Sequence, residues 1–435
     1  MSLPRFTFTS RARPFLEVGI GDSRTPTGGA RWDVQRWDQP DALWADVEPE
    51  WQDVTCQGYE VRFSHGREAT TDRFEVATMS VVAANVDGWA DLEPPEPGDT
   101  NTLQLRPGRS IRFGVDHQTL GRVVLWRGYI DVVDPTYEPG SQVVRLQCID
   151  ALGEAGKVRL SAPGDPTGSG ETVTARLGRI LDDAGWPTGR RRLDGSSSTL
   201  LATKLDGQAA DLLGRAADSN GGAVYADTSA YLVYRAMGWQ VYPVGRPVDA
   251  TIGNVGPGDV CPTRWVRPFA RADIATRVIL GNSREPVADV VQLEDEPGQG
   301  LYGVESFERT DLDTASAAEL ASMASTYLVT RGVATAPRVR SVGLDATTGD
   351  AVVDLLTTAS PYRPSRYRCR LLLDRGLVFD AEHQTTGATH TITPDGWSAD
   401  LSLDLAEVYQ ASGARWEPAS GADAGQTRWD RAAWN

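Results

Sequence analysis

The first part of the chain alternates apolar and polar residues in short runs that turn residues separate. Such runs occur at 59–63, 73–77, 111–115 and 123–130. Alternation with a period of two places the apolar residues on one face of a strand, and runs at this spacing are typical of an antiparallel sandwich or barrel. The turns between the runs carry Gly, Asn and Pro, which suit tight-turn conformations. The pattern predicts a β domain over residues 46–160.

The middle of the chain has a different pattern, in which apolar residues are spaced three and four apart. It follows a linker at 161–170 that is rich in Gly, Pro and Ser. The spacing predicts one helix at 173–184 and a second at 206–219. A hairpin is predicted at 222–235. These elements together predict a small α+β module over residues 161–257.

Strand-like alternation returns in the last third of the chain. One helix interrupts it at about 316–331, where Ser316 and Glu319 form a capping box at the start. The pattern predicts a second β domain over residues 258–410 that contains this one helix. The predicted fold class is therefore mainly β, with two antiparallel β-barrel domains on either side of the α+β module.

Both ends of the chain lack such a pattern and carry tryptophan beside Arg and Asp. The Arg-Trp-Asp triplet at 31–33 recurs at 428–430. Trp and Arg are effective anchors at protein interfaces. We therefore predict extended arms at 1–45 and 411–435 that dock either on another surface or back on their own chain. The candidate docking anchors are Trp32, Trp37, Trp44, Trp429 and Trp434.

The charge of the chain argues against some classes of function. Its 435 residues include 43 Lys and Arg against 59 Asp and Glu, which gives a formal net charge of −16. No broad basic surface is then available for gripping phosphates, and tight nucleic-acid binding is not expected. The sequence also lacks the apolar stretches of a membrane span or a signal-peptide core, so we expect neither.

The candidate catalytic residues of the sequence lie in weak motifs. His383 and His390 lie seven residues apart beside Glu382, but no HExxH motif accompanies them. We interpret them as structural residues rather than zinc ligands. The acidic run at 294–296 favours a solvated loop over a glycosidase pair. No phosphate-binding loop or GxSxG elbow occurs. We predict no catalytic residue, no metal, no cofactor and no enzymatic activity.

Cysteine and tryptophan each allow a structural and a functional interpretation. The four cysteines include no CxxC pair, which favours buried, reduced thiols. They are Cys56, Cys148, Cys261 and Cys369. Tryptophans in the body of the chain could form a sugar-stacking platform, although aromatic residues at alternate strand positions are more often core. We prefer the core for Trp126 and Trp265. The other four are Trp89, Trp186, Trp239 and Trp397.

A series of short motifs follows a definite order along the chain. The first half contains in turn Gly66-Arg67, NVDG at 85–88, LRPGR at 105–109, LWRGYI at 125–130 and CIDAL at 148–152. The second half adds the helix and hairpin at 207–235, GVESF at 303–307 and the stretch 382–397. This order, over residues 32–408, resembles the minor tail proteins of long-tailed bacteriophages that infect actinobacteria. Within that family it is most similar to the hub at the tail tip.

The resemblance implies a structural virion protein that is made in the host cytoplasm and assembles at the tip of a non-contractile tail. Three copies of a hub with two similar barrels present six barrels and close a six-fold tail tube. The implied partners are its own copies in a homotrimer, distal-tail or tail-tube ring proteins, the tape-measure protein and downstream tail-tip or fibre proteins. The resemblance also implies that genomic DNA passes through the ejection channel without specific binding. The alternatives are a distal-tail ring protein and a cell-wall-active or carbohydrate-binding tail-tip protein.

Overall fold

The computed structural model describes most of the chain between residues 11 and 406. The described residues are 11–20, 49–55, 58–67, 73–85, 89–90, 105–138, 141–161, 164–237, 239, 247–256, 258–266, 274–282, 290–331, 339–363, 365–373 and 376–406. The five candidate docking anchors, Trp32, Trp37, Trp44, Trp429 and Trp434, lie outside these ranges. Within the ranges, no helix is long and apolar enough to cross a membrane.

The first half of the chain supplies seven antiparallel strands. They are β1 (Ala12–Ile20), β2 (Glu50–Asp53), β3 (Gly58–Gly66), β4 (Thr78–Ala84), β5 (Ser110–His117), β6 (Gly121–Glu138) and β7 (Ser141–Ile149). Their order in the sheet is β3-β4-β7-β6-β5-β1-β2. Residues 12–20 were predicted as part of an extended arm and instead form β1. They join the sheet because Ala12, Leu16 and Val18 fall on one face of the strand and are buried.

The middle of the chain folds as an α+β module. Its elements are α1 (Ala151–Gly156), β8 (Arg159–Ser161), α2 (Val173–Asp183), a short 3-10 helix (Thr188–Arg190), β9 (Arg191–Leu193), β10 (Asp206–Gln208), α3 (Ala209–Asp218), β11 (Ala223–Ala226) and β12 (Leu232–Arg235). The Thr172 side chain caps the start of α2 by accepting a hydrogen bond from the Ala175 backbone. β11 and β12 form a hairpin, and β9 pairs with β12 in parallel. The apolar faces of α2 and α3 share a core with Tyr234 of the hairpin.

The last part of the chain mixes strands with three helices. Its elements are β13 (Ala250–Gly253), β14 (Arg264–Val266), β15 (Arg277–Asn282), β16 (Val290–Glu294), α4 (Glu296–Tyr302), β17 (Ser306–Leu312), α5 (Ala317–Arg331), β18 (Ser341–Asp345), α6 (Asp350–Thr358), β19 (Tyr367–Leu373), β20 (Gly376–Thr393) and β21 (Gly396–Leu405). A 3-10 turn at Ala346–Thr348 precedes α6. Only the helix at 316–331, which corresponds to α5, was predicted. The pattern missed α6 because it is short and its first turn carries the adjacent β-branched residues Val352 and Val353, which also suit a strand.

Strands β15, β16 and β17 form a separate three-stranded sheet. Val278 and Leu280 of β15 share a core with Leu320 and Met323 of α5. The sequence pattern placed these strands in the second β domain. Alternation identifies the buried face of a strand but not the strand with which it pairs, so this separate unit could not be predicted from it.

The strands within residues 12–149, called the first β region, and the remaining strands within residues 250–405, called the second β region, join one sheet of thirteen strands. Its order is β14-β18-β21-β20-β3-β4-β7-β6-β5-β1-β2, with β19 paired to β20 and β13 paired to β19. A single hydrophobic core includes Val61 and Trp126 from the first region and Leu344, Val353 and Trp397 from the second. The protein is therefore mainly β, as predicted.

Candidate functional site

The two β regions meet where β3 pairs with β20, and this pairing is called the seam below. It runs antiparallel from Gly66 opposite Gly387 to Val61 opposite Ile392. β20 can serve several neighbours because it is 18 residues long. The part before the seam pairs with β19, and most of the strand also pairs with β21 on its other side. The relative position of the two β regions therefore depends on backbone hydrogen bonds made across the seam.

The seam begins where two glycines approach closely. Gly66 has a φ of +102°, and a Cβ atom there would lie 2.4 Å from both the Thr386 carbonyl oxygen and the Gly387 Cα atom. A Cβ atom on Gly387 would lie 2.9 Å from the Arg67 carbonyl oxygen. The register of β20 against β21 also shifts between Thr385 and Gly387, which is typical of a bulge. The close approach thus requires glycine on both strands.

Aromatic rings from both sides of the seam form a cluster beneath it. The His390 ring of β20 stacks on the Phe63 ring of β3, with 4.5 Å between centroids and 17° between planes. The His65 ring of β3 meets the His390 ring edge-on, with 5.7 Å between centroids. Tyr362, which follows α6, contacts His65 in the same edge-on manner at 5.4 Å. These rings and Trp397 are called the ring cluster.

The two imidazoles of the ring cluster differ in their hydrogen bonds. Trp397 Nε1 donates to His390 Nδ1 at 3.1 Å. Both ring nitrogens of His65 are shielded from solvent, and neither has a hydrogen-bond partner among the described residues. Burial lowers the pKa of His65 to about 4. Burial and the neighbouring His65 place the pKa of His390 well below its ordinary value. Both imidazoles are therefore neutral at pH 7.

A second contact between the β regions surrounds Asp354 of α6. Arg11 Nε and Nη2 donate to the two carboxylate oxygens at 2.6 and 2.7 Å. His117, at the end of β5, places Nε2 2.8 Å from the same carboxylate. The backbone N–H groups of Thr119 and Leu120 donate to His117 Nδ1, so the Nε2 proton points at Asp354. This group is called the Asp354 cluster.

The charge of Asp354 is stabilised by its cationic and hydrogen-bonding partners. Desolvation raises the pKa of this carboxyl, but the hydrogen bonds from Arg11 and His117 outweigh that effect and hold the pKa below its ordinary value. The sequence patterns did not indicate this cluster. Arg11 and His117 lie 343 and 237 residues from Asp354 in the chain, so no local motif signals it.

The α+β module is attached to both β regions. The Tyr225 hydroxyl of β11 donates to the Tyr362 carbonyl oxygen at 3.2 Å, and the two rings stack at 5.1 Å. The Asp218 carboxylate at the end of α3 accepts hydrogen bonds from Arg73, which precedes β4, and from Arg309 of β17 at 3.1 Å. The ring cluster at the seam is thus connected to the α+β module through Tyr362 and Tyr225.

The histidines considered as zinc ligands have separate partners. The Val339 backbone N–H donates to His383 Nε2 at 3.0 Å, and His383 Nδ1 lies 3.2 Å from the Ala381 carbonyl oxygen. His390 belongs to the ring cluster instead. In the part of the chain that the structure describes, no group of three or more His, Cys, Asp or Glu side chains is arranged to hold a metal ion. In the acidic run at 294–296, Glu294 pairs with Arg277 at 3.0 Å.

The cysteines and tryptophans follow the structural interpretation with one exception. Cys148 and Cys369 are buried, whereas Cys261 is exposed and that prediction is wrong. Cys261 lies in the connection to β14, where no strand alternation directs its side chain inward. Cys56 lies outside the described residues. Trp126 is buried in the hydrophobic core that the two β regions share, and the half-buried Trp265 packs against this core.

Comparison with known proteins identifies the fold. No family model matches the sequence, and no curated protein matches it. The tail protein from Neisseria meningitidis MC58 has a similar structure, with a TM-score of 0.57 and 14% identity over 91% of this chain and 98% of that chain. The 43 kDa tail protein of prophage MuSo2 from Shewanella oneidensis gives a TM-score of 0.53 and 10% identity over 91% of this chain and 99% of that chain. The chain has a tail-protein fold. Because each match covers 91% of this chain, it includes residues of both β regions.

Proposed function

We propose that this chain is a structural protein of a phage tail and forms a homotrimeric hub at the tail tip. The observation that carries the proposal is the tail-protein fold, which two solved tail proteins share over nearly their whole length. The hub assignment rests on the order of motifs over residues 32–408 and on the presence of two β regions in one chain. Three copies then present six β regions, which suits a six-fold tube.

The contacts between the parts of the chain support a role in joining the tail tube to the tail tip. We propose that residues 46–160 and 258–410 are the two hub domains and that 161–257 is the module between them. The seam, the ring cluster and the Asp354 cluster connect the two β regions. A protein that transmits force between a tail tube and a tail tip needs such connections, because its parts must move as one body.

The proposed partners follow from the position at the tail tip. The hub contacts distal-tail or tail-tube ring proteins on one side and tail-tip or fibre proteins on the other, and it holds the end of the tape-measure protein. Genomic DNA passes through its channel, and a net charge of −16 suits a wall that does not grip phosphates. The terminal tryptophans, among them Trp32 and Trp429, are proposed to anchor these partners.

We propose a non-enzymatic role, since the four histidines all serve packing or structural hydrogen bonds. His65 and His390 lie in the ring cluster, and His117 lies in the Asp354 cluster. His383 accepts a hydrogen bond from the Val339 backbone.

The mass of the purified full-length chain tests the proposal. A trimer of a 47.0 kDa chain has a mass of about 141 kDa by light scattering. A hexameric ring contradicts the hub and favours the distal-tail ring protein. Clearing of actinobacterial cell wall in a zymogram, by the chain alone, contradicts the non-enzymatic role. Absence of the chain from purified tails contradicts the structural role altogether.

A further inference from the structure

His65 of β3 and His390 of β20 place two titratable rings in contact across the seam. Their centroids are 5.7 Å apart, and one ring comes from each strand. The His65 nitrogens have no hydrogen-bond partner among the described residues, although an unpaired buried polar group destabilises the folded protein. No described contact explains this cost.

The surroundings of the pair would not stabilise a positive charge. Neither ring is hydrogen bonded to a carboxylate within the described ranges. Directly after β3, the Arg67 guanidinium lies 4.8 Å from the Phe74 ring and adds a positive charge nearby. From β21, the Trp397 N–H donates to His390 Nδ1 and leaves no lone pair there for a proton. Two neighbours of Phe63 are uncharged: Met79 of β4 is its register partner, and the Phe113 ring of β5 has its centroid 5.7 Å from that of Phe63.

The remaining titratable groups come from segments that flank the cluster. They are Tyr362 after α6, the exposed Glu75 before β4, and Asp150, which caps α1 and acts electrostatically on Tyr362. Glu75 lines a groove of about 250 Å³ beside the seam, together with Ser64, His65 and Arg67. The groove gives water a route to the edge of the ring cluster, so a proton can reach the pair when the seam loosens.

We propose that the His65–His390 pair makes the seam an acid-sensitive joint: protonation of the two imidazoles weakens the pairing of β3 with β20 and lets the two β regions separate locally. In the closed seam, two like charges would lie side by side among apolar rings. In the open seam, each imidazole is hydrated and binds a proton with its ordinary affinity. The proposal concerns the joint itself and stands apart from the proposed function in the tail.

The sign and size of the effect follow from proton linkage. The pKa of each imidazole is lower in the closed seam than in the open one, where it is about 6.5, so opening takes up protons as the pH falls below that value. For a closed-seam pKa of about 4, the ratio of open to closed molecules rises about 30-fold between pH 7.5 and pH 5 for His65. His390 adds a further factor in the same direction.

Hydrogen exchange on the full-length chain tests the joint. Amides of 61–66 and 387–392 are followed at about pH 7.5 and pH 5, with correction for intrinsic exchange rates. The expected result is at least a 30-fold loss of protection at the lower pH in these segments. The sheet of β15, β16 and β17, which contains no histidine and has a core of its own, serves as the internal control. Equal losses in that sheet, or no loss at the seam, would overturn the proposal.

The variant His65→Leu separates the joint from general acid sensitivity. Leucine removes the unpaired nitrogens without breaking a hydrogen bond, so the variant is expected to keep the closed seam at pH 7.5. The loss of protection at pH 5 should shrink about 30-fold relative to the native chain. An unchanged loss overturns the proposal.

Nuclear magnetic resonance of histidine Cε1–H groups gives a second readout that needs no variant. The chain has four histidines, so the titrations can be followed one by one. In the closed protein the His65 ring should titrate near pH 4, and the His390 ring, identified by its contacts with Phe63 and Trp397, should titrate well below the ordinary pKa of histidine. If either ring titrates with the ordinary pKa in the closed protein, the pair is not held neutral by the seam and the proposal is wrong.

Discussion

The substitution Gly66→Ala should open the seam, and its cost can be worked out from two separate effects. The first is the left-handed backbone at φ +102°, where a Cβ atom costs about 1–2 kcal/mol. The second is the clash of that Cβ with the Thr386 oxygen and the Gly387 Cα at 2.4 Å. Overpacking of this kind typically costs about 1–3 kcal/mol. We therefore expect Gly66→Ala to destabilise the protein by about 2–5 kcal/mol.

The chain offers a matched control at Gly121. This residue also has a positive φ, of +71°, but a Cβ atom there would meet nothing within 4 Å. Gly121→Ala should therefore carry only the backbone cost of about 1–2 kcal/mol. The difference between the two variants isolates the close approach at the seam.

Urea unfolding followed by tryptophan fluorescence measures both variants, because Trp126 and Trp397 are buried in the main core. Gly66→Ala should lower the midpoint clearly more than Gly121→Ala does. Hydrogen exchange should show the extra loss of protection in β3 and β20. Equal midpoints for the two variants would refute the reasoning, since the clash at the seam would then cost nothing.

Three further outcomes are expected. Asp354→Asn should destabilise the protein by about 1 kcal/mol, because the carboxylate is partly exposed and its ion pairs are screened, and the loss should shrink in high salt. Because the pKa of Asp354 is lower in the folded protein, its contribution to the free energy of unfolding is present above the unfolded pKa of about 3.9 and is lost as the pH falls through the folded pKa. The Asn variant should therefore lack this loss of stability when it is titrated with acid. A maleimide should label Cys261 in the native protein and spare Cys148 and Cys369, whose thiols burial holds at a raised pKa; rapid labelling of all three would contradict the described core. Deletion of 421–435 should leave the chain folded and soluble but reduce its incorporation into tails, and unchanged incorporation would remove the docking role from that segment.

Sequence patterns predicted the mainly β character because they depend on local periodicity. The alternation at 59–63 placed Val61 and Phe63 on the buried face of β3, as the structure shows. The α+β character of the middle of the chain was visible for the same reason, since the spacing around Leu177 and Ile180 differs from that of a strand.

The seam was not predictable, because its parts come from distant positions. Gly66 and Gly387 each look like ordinary turn glycines in the sequence, and only their contact shows why both are needed. Arg11 lay in a predicted arm, yet it binds Asp354 of a helix that the pattern missed. His390 was considered with His383 because the two are close in the chain, whereas its ring contacts His65 on β3.

Cryo-electron microscopy of intact particles that carry this chain tests the central claim most directly. The proposal predicts three copies of the chain at the tail tip, which close the tube below the last six-fold ring, with β3 and β20 paired in every copy. Six copies in a ring, or tails whose tip lacks the chain, would contradict the proposal that it is the hub.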